Sequence, residues 1–417
     1  MQSRWNSQDA DRFIQDAVGA GWSEALGLRI YTSRLIGQDP DLVLHGGGNT
    51  SVKVDSGGEA ILHVKGSGWD LDTIEAPGLP AVRIAPLLPA RSGGKLSDPE
   101  MVALLRANLL DPTSPNPSVE ALLHAYLPFN FVDHTHATAI LALANQADMR
   151  ETVARIYGSR LAYVPYVMPG FDLSIEGDRI FRENPDCEGL WLENHGLFTF
   201  AATAKASYEL MIEFVTLAEA ELARAGATPD GPQASDRDSD AGLLERLGSA
   251  LSQGGSPFAK GLAMDFRSTP AIRRHAAKAD AGEIVSRGTV TPDHVIRIKP
   301  FPLVIPAGAT SAEIDQALAG YIERYTDYFE RNAARASEPK TMLDAYPRAV
   351  LVLGEGVIGL GANAKAARIA ADLLEQSARV MNSAEAYGRF KPISEADLFD
   401  MEYWSLEQAK LKVALSG

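Results

Sequence analysis

The chain has 417 residues, enough for two or three domains at about 150 residues each, and with 46% hydrophobic and 22% charged residues it is not a disordered polypeptide. Its 39 Lys and Arg against 54 Asp and Glu leave a formal charge of −15, and so acidic a surface repels a phosphate backbone, which excludes nucleic acid as a partner. The single cysteine, Cys187, cannot close an intramolecular disulfide, no signal-peptide pattern opens the chain and no apolar run reaches the roughly 20 residues of a bilayer span, so a cytoplasmic protein with no membrane partner is expected.

The first 34 residues read as helical, with Phe13, Ile14, Val18, Leu26, Leu28 and Ile30 at mixed helical spacing. Two strand-like runs follow, 42–54 and 60–68, and the turn composition of Asp55, Gly57 and Gly58 joins them as a hairpin. Residues 99–110 and 119–127 read as helices, the second opened by Pro117 and Ser118. Residues 129–138 read as a strand running into a helix, and 189–223 as strand, tight turn, strand and a long amphipathic helix. From Ala225 to Gly242 the chain turns to Gly, Pro, Ser and Asp, too little apolar surface to offset ordering. Domains are expected over 1–225 and 257–417, with 226–256 as the linker.

The second half repeats part of the first. Writing the residues from Val350 beneath those from Leu190 sets Gly356 under Gly196 and the run Ala364, Lys365, Ala366 under Ala204, Lys205, Ala206, a constant offset of 160. Glu355 stands where the first copy has His195, and His294 has no His-x-His partner, so a degenerate domain without the metal ligands is expected. The same segment matches a strand followed by G-x-G-x-x-G, a dinucleotide fingerprint. Too little chain follows it for a doubly wound domain, and the repeat accounts for the glycines better.

His134 and His136 are one residue apart in a strand-like run, and the period of two turns both imidazoles to one face and Asp133 to the other. His195 precedes Gly196, whose conformational freedom permits a tight turn. Three histidines with an open fourth position have the form of a catalytic zinc site, although a lone His-x-His pair is more often a satisfied core or surface feature. The run His45 to Ser51 offers three glycines, Asn49, Thr50 and Ser51 as an anion cradle, or simply a flexible entry to the hairpin. Ser67 and Gly68 add small donors, as does Ser118 at a helix start. Glu120 reads either as an acid or as a capping-turn carboxylate.

Taken in order, the glycine-rich Asn turn, the Gly-Ser-Gly turn, Ser-x-Glu, His-x-His and Asn-His-Gly resemble the class II aldolase and adducin family over roughly residues 25–225. The likeness is greatest to the aldolase part of long fused proteins that also carry a short-chain dehydrogenase. The resemblance implies an α/β fold, a three-layer αβα arrangement with a mainly antiparallel central sheet, followed by a second, degenerate aldolase-like α/β domain. It implies zinc or another divalent transition metal on His134, His136 and His195, and Glu120 as acid/base. Phosphate or substrate would then be held by Gly48, Asn49, Ser67, Gly68 and Ser118. Val119 departs from the family, which often has a second serine there, and this leaves open whether the sugar is phosphorylated. The implied activity is retro-aldol cleavage of a ketose or ketose phosphate through a metal-stabilised enediolate. A sugar-phosphate epimerase or decarboxylase would use the same residues, and a non-enzymatic adducin-like interaction module is the remaining alternative. A homo-oligomer, tetrameric or a pseudo-symmetric dimer, is implied with a small sugar or sugar phosphate as ligand.

Overall fold

The computed structural model describes residues 1–405, and the chain divides into two compact units, Met1–Arg224 and Ala225–Gly417. Among the described residues no helix is long and apolar enough to cross a membrane.

The first unit opens with α1 (Ser7–Gly19) and α2 (Glu24–Gly37), started by Asn6 and Ser23, whose side chains accept from the first free backbone N–H groups. The hairpin β1 (Asn49–Ser56) and β2 (Glu59–Val64) turns on Gly57 and Gly58, both at positive φ (66° and 87°), as a two-residue turn between twisted strands requires. Residues 42–48, expected as strand, are instead a loop. The apolar run Leu42 to Leu44 is strand-like in composition, but His45, Gly46 and Gly48 take positive φ and end any pairing before Asn49. After β3 (Ala81–Arg83), α3 (Asp98–Ala107) starts on a Ser97–Glu100 capping box. The helix α4 (Ala121–Tyr126) begins two residues later than expected and leaves Glu120 just ahead of it. Then come β4 (Phe131–Thr135), α5 (Thr138–Ala144), α6 (Arg150–Tyr157), β5 (Leu161–Val164), α7 (Phe171–Glu183), β6 (Gly189–Leu192), β7 (Gly196–Ala201) and α8 (Ala204–Arg224).

The strands form one sheet in the order β3-β2-β1-β4-β7-β6-β5, antiparallel except for β5 with β6. Helices α2, α6 and α8 cover one face and α4 and α7 the other, which gives the three layers. Along β4 the alternation is strict. Asp133 and Thr135 face α2 and α8, where Ser207 and Met211 meet them, while Val132 packs with Leu123, Leu127 and Phe198 on the opposite side.

In the second unit α9 (Ala241–Leu251) lies inside the stretch expected as linker. Leu243, Leu247 and Leu251 recur at helical spacing behind the Asp240 cap and are buried in this unit's core. It continues through β8 (Ala263–Arg267), α10 (Pro270–Ala276), α11 (Ala281–Val285), α12 (His294–Ile298), β9 (Leu303–Ile305), α13 (Ser311–Ala333), β10 (Ala349–Val352), β11 (Gly356–Gly361), α14 (Ala364–Tyr387) and α15 (Glu395–Glu402). The sheet order is β8-β11-β10-β9. The glycine fingerprint spans the turn of the antiparallel β10–β11 hairpin, not a strand-to-helix turn.

Candidate metal centre

The strand period carries His134 to the α4 side of the sheet, and the chain leaving β4 brings His136 beside it, so that their Nε2 atoms lie 3.1 Å apart. The β6–β7 turn supplies His195. Asn194 takes a left-handed φ of 53°, and the ring of His195 comes to rest with its centroid 4.9 Å from that of His134 and 5.0 Å from that of His136. Gly196 is required by closeness, since a Cβ there would lie 2.3 Å from the Thr135 carbonyl oxygen. One ligand nitrogen from each of the three histidines can be chosen so that all lie within 4.8 Å of one another.

All three rings are buried. Burial, reinforced by the neighbouring imidazoles, holds His134 and His195 well below the usual histidine pKa, so both are neutral at pH 7, the form a metal needs. His134 Nδ1 donates to the Leu197 carbonyl at 3.1 Å, which leaves its Nε2 lone pair facing the cluster, the second contact that usually orients a ligating imidazole. His195 Nδ1 is buried with no hydrogen-bond partner among the described residues. Three imidazole nitrogens and an adjoining carboxylate are a donor set that fits a divalent transition metal.

Glu120 is that carboxylate. Its Oε2 is 3.5 Å from His134 Nε2 and its Oε1 is 3.7 Å from His195 Nε2. It makes no capping bond to α4, so the capping alternative does not describe it. The register explains its partner: Asn49 lies opposite His134 on the neighbouring strand, and its Nδ2 donates to Glu120 Oε2 at 2.6 Å.

Backbone bonds draw the remaining candidate segments together. Lys65 N–H donates to the Thr50 carbonyl, Ser67 N–H to that of Asn116, and Ser118 N–H to that of Lys65 at 2.9 Å. Ser67 and Gly68 are exposed and Ser118 is half-buried, so these three reach solvent. Gly48 is buried beside His134, where a Cβ would lie 2.5 Å from the His134 carbonyl oxygen. Asn49 differs from Ser67, Gly68 and Ser118. It is buried, and both ends of its carboxamide are engaged, the nitrogen by Glu120 and the oxygen by His124 Nε2 at 2.5 Å.

Sequence reasoning passed over His124 altogether, although its position four residues beyond Glu120 is a helical neighbour's spacing. It also gave Asp133 no role. The structure buries Asp133 completely against Arg29, 2.5 Å from Nη2, with Ser207 Oγ donating to its other oxygen at 2.5 Å.

Residues 29–222 match the profile of the Class II Aldolase and Adducin N-terminal domain, and residues 238–411 that of the Aldolase class II, second domain. The chain belongs to the class II aldolase and adducin family. It is 29% identical over 406 residues to an uncharacterised oxidoreductase, YuxG, of Bacillus subtilis (strain 168), covering 92% of this chain and 58% of that protein. The chain thus spans little more than half the length of the curated relative it matches. Among solved structures, it is 39% identical to the N-terminal class II aldolase domain of a conserved Thermoplasma acidophilum protein, over 53% of this chain and 99% of that one, with a TM-score of 0.47. An L-fuculose-1-phosphate aldolase from Thermus thermophilus is 16% identical over 52% of this chain and 96% of its own, with a TM-score of 0.33.

Proposed function

We propose that the first unit is a metal-dependent aldolase that cleaves a ketose or ketose phosphate by a retro-aldol reaction. The observation that carries this reading is the convergence of His134, His136 and His195 with the Glu120 carboxylate 3.5 and 3.7 Å from two of the rings. A divalent transition metal such as zinc on the three imidazoles would supply electrophilic stabilisation of the negative charge that builds up as the carbon–carbon bond breaks, worth several kcal/mol. Glu120 then delivers and removes the proton at the nucleophilic carbon, a contribution of roughly 10²- to 10⁴-fold. Its burial and its bond from Asn49 hold the carboxylate in one place for that transfer.

Ser67, Gly68 and Ser118, with the backbone of the Gly48 turn, bind the far end of the substrate at the rim. Val119 removes one hydroxyl from that rim, so a phosphate there has fewer donors than the family pattern provides.

The test is metal analysis followed by assay of aldehyde release from a panel of free ketoses and ketose phosphates with zinc present. The purified chain should hold about one transition-metal ion, and His136→Ala should lose it. Unchanged metal content in that variant, or no aldehyde from any member of the panel, would overturn the reading.

A further inference from the structure

The buried contacts behind Glu120 form a chain with a direction. Ser51 Oγ is 2.7 Å from His124 Nδ1, His124 Nε2 is 2.5 Å from Asn49 Oδ1, and Asn49 Nδ2 is 2.6 Å from Glu120 Oε2. We infer that His124 is a positioning residue for the acid/base step: it locks the Asn49 carboxamide with its nitrogen toward Glu120. This rests on the proposed role of Glu120.

Proton bookkeeping leaves a single arrangement. His124 is fully buried on α4, and burial first, then the Lys53 and Arg29 charges, hold its pKa well below the usual value, so its ring carries one N–H only. A carboxamide oxygen can only accept, which puts that proton on Nε2 and leaves Nδ1 to accept from the Ser51 hydroxyl. Asn49 is thereby committed at both ends, its oxygen to His124 and its nitrogen to the carboxylate. The far end is anchored as well, because the Ser51 carbonyl accepts from Arg29 Nη1 at 3.2 Å, and Arg29 is held by Asp133 in the sheet's other face. Without His124 the carboxamide is free to turn its oxygen toward Glu120. That oxygen repels a carboxylate and lets it swing from the position where it meets the reacting carbon.

Two measurements test this. In ¹⁵N NMR of the full chain, with and without zinc, the His124 ring should show a single proton on Nε2; a proton on Nδ1, or on both nitrogens, would overturn the inference whatever the enzyme's activity. In steady-state kinetics, His124→Ala should lower kcat by about 10- to 100-fold with KM and metal content held, as removal of a supporting contact does. His124→Gln, whose amide again donates to Asn49 Oδ1, should recover most of the loss. Turnover of His124→Ala within about twofold of the parent, or no recovery in His124→Gln, would overturn the positioning role while leaving Glu120 as the acid. Full turnover in Glu120→Gln would instead bring down the aldolase reading, with the NMR result still deciding the tautomer. If His124→Ala does not fold, the NMR measurement on the parent chain and His124→Gln kinetics decide the case.

Discussion

In the first unit β4 and β7 set His134 opposite Phe198 and Thr135 opposite Leu197; in the second, β8 and β11 set Phe266 opposite Ile358 and Arg267 opposite Val357. Leu197 and Phe198 are followed 160 residues later by Val357 and Ile358, so Phe266 stands in the place of His134, Ser268 in that of His136 and Glu355 in that of His195. The correspondence runs through the elements. Strands β10 and β11 and helix α14 each begin 160 residues after β6, β7 and α8, and the order β8-β11-β10-β9 reproduces β4-β7-β6-β5. The core positions follow, with Leu190, Leu192, Phe198 and Phe200 answered by Val350, Val352, Ile358 and Leu360, all buried. What the fold needs is therefore this apolar alternation and the glycine at the head of β7 and β11. The imidazoles are an addition that one copy carries and the other does without. Among the described residues the second sheet also has no counterpart of β1, β2 and β3, the strands that bring Asn49 and Ser51 to Glu120.

The sharpest way to break this comparison is a pair of glutamates. Glu120→Gln should keep its metal and lose roughly 10²- to 10⁴-fold in turnover, because the amide keeps the shape and abolishes proton transfer. Glu355→Gln, in a half-buried turn of the second unit, should leave turnover unchanged. Kinetics on the two variants check both; a large loss in Glu355→Gln would mean that the second unit takes part in the chemistry.

Next in size is a pair of aspartates at equal register. Asp133 faces Thr199 and Asp265 faces Gly359, and it is these two facing residues that are again 160 apart. Asp133→Asn strands a fully buried Arg29 and should cost about 3–5 kcal/mol in chemical denaturation. Asp265→Asn should cost about 1 kcal/mol or less, because the pair is partly exposed (18% and 29%) and Arg267 keeps Asp372 and Glu375 as partners.

Acid separates the units too. Burial, helped by the Lys278 charge, pushes His275 down to about 4. An unfolded histidine takes up its proton near pH 6.5. Between these values the unfolded chain binds the proton and the folded one does not, so stability is complete above about pH 6.5 and falls as the pH drops toward 4, by on the order of 3 kcal/mol. His275→Phe should flatten that slope, and added zinc should not. In the first unit zinc should oppose acid unfolding, since only the neutral imidazoles bind it. Denaturation at a series of pH values, with and without zinc, distinguishes the two.

How far these features were legible in the sequence depended on how local they are. The His-x-His pair and His195 beside its glycine are short-range patterns, the 160-residue offset is a match between two short runs, and each reappears in the structure at the expected place. The loop 42–48 was misread because its apolar residues look like a strand until the positive φ of Gly46 and Gly48 is known. Helix α9 was hidden by the polar run ahead of it, though Leu243, Leu247 and Leu251 carry a helical period. The contact of His124 with Asn49, and the Arg29–Asp133 pair, were beyond reach. A buried histidine on an apolar helix looks like any core residue, and an arginine on α2 can be known to meet a strand a hundred residues away only once the sheet is assembled.

The smallest expected effect gives the finest test of what belongs to the fold and what to the metal. Gly196 and Gly356 open corresponding strands, and neither has a positive φ; what requires glycine is crowding. A Cβ would lie 2.3 Å from the Thr135 carbonyl oxygen at the first position and 2.5 Å from that of Arg267 at the second. Both contacts are with backbone, which cannot rotate away, so Gly196→Ala and Gly356→Ala should each cost about 1–3 kcal/mol as overpacking does. Beyond that shared cost the two part company. At Gly196 the added methyl also presses on His136 Cδ2 at 3.1 Å and His134 Cε1 at 3.3 Å, and so should weaken metal binding. At Gly356 the nearest rings are those of Phe266, and metal content should not change. Denaturation midpoints and a zinc titration on the two variants separate the terms. Equal losses of stability with a metal defect confined to Gly196→Ala would assign the glycine to the fold and the histidines to the chemistry, whereas a harmless Gly356→Ala would show that the close approach is kept in the first unit for the metal's sake.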